Sequence, residues 1–303
     1  MGTGQGAVQN GAIKTCVFPI AGRKGAFQPA TKSMPRELLP IIDRPMILLA
    51  VEEARAAGCE RFIFVERPGA FQIRRYFERD PALERDLAKI FGEQMASMVA
   101  DVALPDGAAI FIEQPERRGL GHAIACARHE VGDEPFAVLL PDDLVFADTP
   151  VLAQMARRYP RYEGAMLAGI EVKRTEVARY GIMRIDDTGG NVVSVKGLEE
   201  KPDTDVSTSN FAITGRYILP PEIFDAIEAT QYDKSGVLQL TDAVAKLIGK
   251  LPVWGVRFEG ERFDCGGLSG YVRATIAQAL SRPELRDETL AYLRRMMDRE
   301  ASG

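Results

Sequence analysis

The regular pattern of the chain begins with KTCVFPIAGRKGAFQPATK, Lys14 to Lys32. KTCVFPIAG reads as a buried strand running into a glycine turn. GRKGAFQPATK then sets glycines and two cations ahead of a Pro-Ala-Thr-Lys tail, a composition suited to holding phosphate. Gly22 sits where a dinucleotide fold would place G-x-G-x-x-G, but that spacing is absent, as is the G-x-x-x-x-G-K-[ST] of P-loop proteins. The stretch therefore predicts a strand and phosphate loop of another design.

Outward from it the chain alternates. PMILLAVEEARAAG (Pro45 to Gly58) has Pro at a helix start, helical periodicity and a closing glycine. RFIFVE (Arg61 to Glu66) reads as a strand, residues 69–98 as charged helix, AAIFIEQ (Ala108 to Gln114) as a strand, and GLGHAIACARHE as the opening of a helix. FAVLLPDD, Phe136 to Asp143, reads as a strand ending in acid. This alternation predicts right-handed βαβ units in a parallel sheet covered on both faces. Ligands of such sheets bind beyond the carboxyl ends of the strands, and Gly22, Glu66, Gln114 and Asp142 all fall there, on one rim. AMLAGIEV, IMRIDD, VVSVKGLEE and FAITGRYIL read as further strands, with Thr188 to Asn191 as a hairpin turn. Helices are expected at Pro221 to Ala229, Gln239 to Leu247, Leu268 to Leu280 and about Leu285 to Arg299, with VWGVRFEGERFDCG as a strand and loop. No low-complexity linker separates the halves, so a second lobe must be stitched into the first sheet.

The 303 residues are enough for one large α/β domain or two smaller ones. A formal net charge of −5 argues against coating nucleic acid, and no apolar run approaches the ~18 residues of a membrane span. Residues 1–11, MGTGQGAVQNG, read as a disordered leader without a signal-peptide core. Four scattered cysteines with no C-x-x-C pair fit reduced thiols in a cytoplasmic protein. With only His122 and His129 present and no G-x-S-x-G elbow, a histidine-centred nucleophile is not expected.

Asp142 and Asp143 end an apolar strand, and Asp264 lies in ERFDCGG beside a glycine turn. Carboxylates from two distant strand ends suit Mg²⁺, which takes its remaining ligands from phosphate and water. Capping of the next turn is the competing role for Asp142 and Asp143. Glu200 and Lys201 place an acid for sugar hydroxyls beside a cation for a phosphate, against the plain reading of a solvated charge run. Gly119-Leu120-Gly121 precedes a helix, where backbone N–H groups meet anions, although most such turns are structural. His122 reads as a core or capping residue and Cys265 as a small buried filler.

Together these residues resemble the bacterial UTP–glucose-1-phosphate uridylyltransferases, or UDP-glucose pyrophosphorylases, of the sugar nucleotidyltransferase superfamily. The resemblance runs from about Lys14 to Leu280. It rests on PATK (29–32), ELLPIIDRP (37–45), GLGHAIACAR (119–128) and DEPFAVLLPDDL (133–144). YGI (180–182), EKP (200–202), GRYIL (215–219), QLTDAV (239–244) and FDCG (263–266) follow in the same order.

The resemblance implies a Rossmann-like, mainly parallel mixed sheet covered by helices on both faces, with an inserted sugar-binding β subregion and C-terminal helices. The nucleotide part would span about 12–150, the sugar-binding part about 151–265, and a C-terminal helix 281–303. It implies Mg²⁺-dependent transfer from UTP to glucose 1-phosphate, giving UDP-glucose and pyrophosphate, in a homo-oligomer. Asp142 and Asp264 would hold Mg²⁺; Ala21, Gly22, Gln114 and Gly119 would recognise uracil; Gly181 and Glu200 would take glucose hydroxyls, and Lys201 the sugar phosphate.

Two positions depart from the family. The G-T-R of its loop falls on Lys24, Gly25 and Ala26, and the lysine of its P-K-E motif is Arg36, which we place in the catalytic set with Asp142 and Lys201. Arg and Lys are not equivalent before a phosphate. Arg23 and Lys24 are the nearest cations able to replace the missing loop arginine, and Gly25 would let the turn shift to present them. The alternative is a weak or inactive family member that binds nucleotide or sugar nucleotide and modulates an active relative in a hetero-oligomer. A nicotinamide-dependent oxidoreductase would fit the βαβ start but lacks the glycine fingerprint.

Overall fold

Thr15–Pro19 forms the first strand, β1, and Cys16, Val17 and Phe18 are fully buried, as expected of a strand covered on both faces. The computed structural model describes residues 13–22, 25–186 and 189–301. The expected leader, Arg23, Lys24 and Thr188 lie outside the described residues.

After β1 come 3-10 turns at Gly25–Phe27 and Arg36–Leu38, then a small hairpin of β2 (Pro40–Ile41) and β3 (Arg44–Pro45). Helix α1 (Met46–Ala56), β4 (Arg61–Glu66), α2 (Gln72–Phe77), α3 (Pro81–Phe91), α4 (Glu93–Ala100) and β5 (Ala109–Glu113) follow. Next are α5 (Leu120–Cys126), α6 (Arg128–Val131), β6 (Phe136–Leu139), β7 (Asp143–Phe146), α7 (Val151–Ala156) and β8 (Ala165–Glu171). The second half adds β9 (Gly181–Asp186), β10 (Val192–Glu200), β11 (Phe211–Leu219), α8 (Ile223–Glu228) and α9 (Leu240–Ala245). It closes with β12 (Val253–Arg257), β13 (Glu261–Asp264), α10 (Leu268–Ser281) and α11 (Pro283–Ala301).

One nine-stranded sheet carries both halves, in the order β5-β4-β1-β6-β11-β8-β12-β10-β9. The expected parallel character belongs to the nucleotide half, where β5, β4, β1 and β6 run together; β8–β12 is also parallel. Strand β11 joins the halves antiparallel to both β6 and β8, so the second lobe does continue the first sheet. One face packs against α5, α8 and α9 through Ile124, Ile223 and Val244; the other packs against α1, α2 and α7 through Val51, Ile73 and Leu152. Their burial supplies the sequence's amphipathic stripes with a core on each side.

One expected strand is two. FAVLLPDD leaves the main sheet at Leu139, the chain turns through Leu140–Asp142, and Asp143 opens β7. Pro141 cannot donate to a ladder, and two carboxylates cannot enter an apolar core. Strand β7 pairs antiparallel with β13, a strand within the stretch expected to be a loop, and Asp264 falls opposite Asp143. This two-stranded ribbon, rather than the main sheet, brings the distant carboxylates to one end.

Candidate active site

A cleft of about 290 Å³ gathers Asp142, Gly181, Glu200, Lys201 and Asp264, which are far apart in sequence. The β7–β13 register sets Asp264 opposite Asp143, next to Asp142, and the β9–β10 register pairs Gly181 with Glu200 at the mouth of a hairpin. Glu200 Oε2 accepts the Thr241 hydroxyl at 2.7 Å, and Lys201 Nζ lies 3.2 Å from its Oε1. A Cβ on Gly181 would stand 2.9 Å from Thr241 Oγ1 and 3.1 Å from Ile213 Cδ1, so a larger residue there would force these walls to shift. Lys201 itself has φ of +45°, a strained conformation for a residue with a side chain.

A second cavity, about 360 Å³, lies on the loop side, lined by Gly22, Lys32, Arg36, Glu37, Glu66 and other residues. Arg36 joins the two spaces. It lines the loop-side cavity, while its Nη2 sits 2.9 Å from Asp142 Oδ2 and its Nε donates to Glu37 Oε1 at 2.9 Å. Burial works against the Arg36 charge, but Asp142, Glu37 and the more remote Asp264 outweigh it and raise the pKa of the guanidinium. Arg36 Nη1 is buried with no hydrogen-bond partner among the described residues, as is Glu66 Oε2 across the same cavity. Burial also pushes the Glu66 carboxyl above its ordinary range, with Arg74 opposing.

The uracil candidates meet at the rim of the parallel strands. Ala21 is buried and Gly22 exposed just beyond β1, while the Gln114 N–H donates to the Glu66 carbonyl at 2.7 Å. The Gln114 amide donates to the Gly119 carbonyl at 3.2 Å and to His122 Nδ1 at 2.9 Å. With that amide orientation both amide hydrogens are engaged, and the side-chain oxygen remains to accept from a ligand. His122 is therefore an orienting partner, in keeping with its expected structural role. Gly119 has φ of +97°, and a Cβ there would stand 2.5 Å from Val237 Cγ1.

Asp264 Oδ1 accepts the Gly266 N–H at 3.1 Å, and Oδ2 lies 3.6 Å from Arg179. Among the described residues no group of three or more His, Cys, Asp or Glu side chains is placed to hold a metal, so the protein offers a pair of hard oxygen donors and no complete cage. That donor set fits Mg²⁺, which keeps positions for phosphate and water. Cys265 is fully buried, and burial together with the three nearby aspartates pushes its thiol up to about 12, consistent with a filler.

Several contributors went unassigned in the sequence. Arg262 forks onto Asp143, its Nε 2.7 Å from Oδ1 and its Nη2 3.0 Å from Oδ2. Behind it Arg216, with no exposed surface, bonds both oxygens of Glu53 at 3.1 and 2.7 Å and donates to the Asp143 carbonyl. Arg262 stands two residues before Asp264 and so shares its face of β13, a relation the sequence yields only once that stretch is known to be a strand.

Residues 21–279 match the nucleotidyl transferase family model. A UTP–glucose-1-phosphate uridylyltransferase of Bacillus subtilis is 38% identical over 294 residues, 95% of this chain and 98% of that protein. One from Pseudomonas aeruginosa is 40% identical over 265 residues, covering 87% and 95% of the two chains. Among solved structures, UTP-bound UGPase from Acinetobacter baumannii superposes with a TM-score of 0.85 at 34% identity, covering 93% of this chain and 98% of that one. A UDP-glucose pyrophosphorylase complexed with UDP-glucose gives 0.79 at 35% identity, over 89% and 100%. With nearly its whole length matched in sequence and fold, this chain belongs to the nucleotidyl transferase family.

Proposed function

We propose that the chain transfers the uridylyl group of UTP to glucose 1-phosphate, forming UDP-glucose and releasing pyrophosphate. The observation that carries the assignment is the convergence of Asp142, Gly181, Glu200, Lys201 and Asp264 in one cleft, with Arg36 of the loop-side cavity paired to Asp142.

A phosphate oxygen of the sugar phosphate attacks the α-phosphorus of UTP in line, and the bond to the bridging oxygen of pyrophosphate breaks. The nucleophile is already largely ionised near neutral pH, its second pKa being about 6, so no histidine base is required. Catalysis is then positioning and charge neutralisation. Lys201 neutralises the sugar phosphate, and Glu200, steadied by Thr241, accepts from glucose hydroxyls. The Gln114 oxygen accepts from the uracil imide N–H, beside the backbone of Ala21 and Gly22. Arg36 faces the triphosphate from the loop side. Asp142 and Asp264 would hold Mg²⁺, which when bound offsets phosphate charge. Self-association through α11, where Tyr292 and Met297 are exposed, and a cytoplasmic location complete the reading. Among the described residues no helix is long and apolar enough to cross a membrane.

The test is pyrophosphate release from UTP, glucose 1-phosphate and Mg²⁺. Release that is abolished by EDTA and restored by Mg²⁺ is expected. Absence of release, with UTP still bound, would overturn the reaction in favour of a binding role; faster release from dTTP than UTP would overturn the nucleotide assignment.

A further inference from the structure

Arg262 has no part in the roles above, yet it touches both sides of the cleft. On the β7–β13 ribbon Asp264 lies opposite Asp143 and Arg262 opposite Val145, so Arg262 reaches Asp143 along the diagonal. The contact is a fork of 2.7 and 3.0 Å between side chains 13% and 8% exposed. Asp143 is fixed from behind as well, since its Oδ2 accepts the Gly215 N–H at 2.8 Å and Arg216 donates to its carbonyl. The guanidinium therefore has little freedom to move.

Its remaining nitrogen, Nη1, donates to the Tyr180 hydroxyl at 3.3 Å, and the guanidinium carbon lies 5.2 Å from the centre of the Tyr180 ring. Tyr180 in turn accepts the Lys201 backbone N–H on its carbonyl at 3.0 Å. The Lys201 side chain is more than half exposed, so its own packing does not place it; the backbone does, at a strained positive φ that needs outside support. A continuous chain of contacts thus runs from the aspartate end of the ribbon through Arg262 and Tyr180 to Lys201.

We propose that Arg262, acting through Tyr180, is a positioning residue that sets the spacing between the carboxylates Asp142 and Asp264 and the lysine that receives the sugar phosphate. This rests on the nucleotidyl transfer reading. In-line attack needs the two reactants held close to contact distance, where an error of about 1 Å can cost about 10²-fold in rate. Arg262 touches neither reactant in this role, and its influence falls on the acceptor because Tyr180 belongs to the acceptor wall.

Two variants test it. Tyr180→Phe removes the hydroxyl and keeps the ring against the guanidinium; Arg262→Lys keeps the charge and loses the fork. In calorimetric titration with Mg²⁺ present, Tyr180→Phe is expected to weaken UDP-glucose binding about fivefold and leave UTP within about twofold. In turnover the KM for glucose 1-phosphate should rise by a similar factor while the KM for UTP holds. Arg262→Lys should move the same quantities further, and adding Tyr180→Phe to it should change little more, because both cut one link. Equal weakening of both ligands, no weakening of either, or a double variant that multiplies the single effects would overturn the proposal. A wild type that binds both ligands but releases no pyrophosphate overturns the reaction alone, since the binding contrast between variants still decides the positioning role. A wild type that binds neither overturns both.

Discussion

The two sides of the candidate site are built differently. On the proposed acceptor side the candidate groups hang on strand ladders: Gly181 against Glu200 across β9 and β10, Asp143 against Asp264 across β7 and β13. Glu200 has Thr241, Asp143 has Arg262, and Lys201 is held through its backbone. On the donor side the chain after β1 is an exposed turn at Gly25 and Ala26, anchored by buried Phe27 edge-on to the Tyr271 ring at 5.3 Å. There Arg36 Nη1 and Glu66 Oε2 stand buried without partners among the described residues. Unpaired buried polar atoms are costly, and of the three among the described residues two line this cavity, where a ligand would meet them, while the third, Glu199 Oε2, lies on β10.

Asp142 belongs to both sides, so removing its charge should erase the difference between them. Asp142→Asn is expected to lower pyrophosphate release by about 10³-fold or more, with donor and acceptor kinetics both affected, since it takes away a proposed metal ligand and the partner of Arg36 together. A loss below about tenfold would remove Asp142 from the catalytic set.

Lys201→Met tests the acceptor side alone. Loss of a point charge on the sugar phosphate should cost about 10² in kcat/KM for glucose 1-phosphate. UTP affinity, measured separately by calorimetry, should stay within about twofold. If UTP binding weakened equally, Lys201 would serve both sides and the division drawn here would fail.

The same contrast governs how much could be read from the sequence. Strands β4 and β11 are legible to the residue because RFIFVE and FAITGRYIL are apolar runs bounded by turns. Asp142, Gly181, Glu200, Lys201 and Asp264 stand out in the sequence because each is beside a glycine, a proline or a strand end, and the fold brings these candidates to one cleft. Ribbon β7–β13 was hidden because four-residue strands carry too little periodicity, and Pro141 with its two aspartates looks like a terminus when it is a corner. Arg216 and Glu53 were hidden for another reason. Arg216 is the one charge in an apolar strand and Glu53 one of three charges in α1, and only the fold shows that they bury each other, 163 positions apart. Loop residues make no ladder, so the sequence could identify Ala26 as a departure but not where its replacement charge would stand.

Ala26→Arg sharpens the donor side. Ala26 is exposed in the turn, so the longer side chain meets no core and the fold should tolerate it. Restoring the cation is expected to raise kcat/KM for UTP about tenfold, a part of the 10²–10³ that one preorganised donor can supply. Arg36→Lys in the same background should add to this only if the arginine at 36 is an imperfect substitute for the compact ammonium. No gain from Ala26→Arg, in a protein that remains folded and turns over, would mean that the triphosphate charge is already met by other cations.

The smallest expected effect concerns Glu66, and its sign separates charge from packing. Burial raises the Glu66 carboxyl above its ordinary range, and Arg74, half exposed with its Nη2 4.0 Å away, compensates only in part. Below the unfolded value, about 4.3, both folded and unfolded forms carry the proton and the group has no effect on stability. As pH rises above it the unfolded chain ionises first, so the native state loses stability until the raised folded value is passed, and the cost is then constant. Glu66→Gln should therefore raise the melting temperature by roughly 2 °C at pH 7.5 and leave it unchanged near pH 4. Arg74 keeps its place over the Phe111 ring at 4.6 Å, so little packing is lost with the charge. An equal gain at both pH values would trace the effect to packing. The donor cavity would then present the Arg36 Nη1 edge to an incoming phosphate, the other guanidinium nitrogens being held by Asp142 and Glu37.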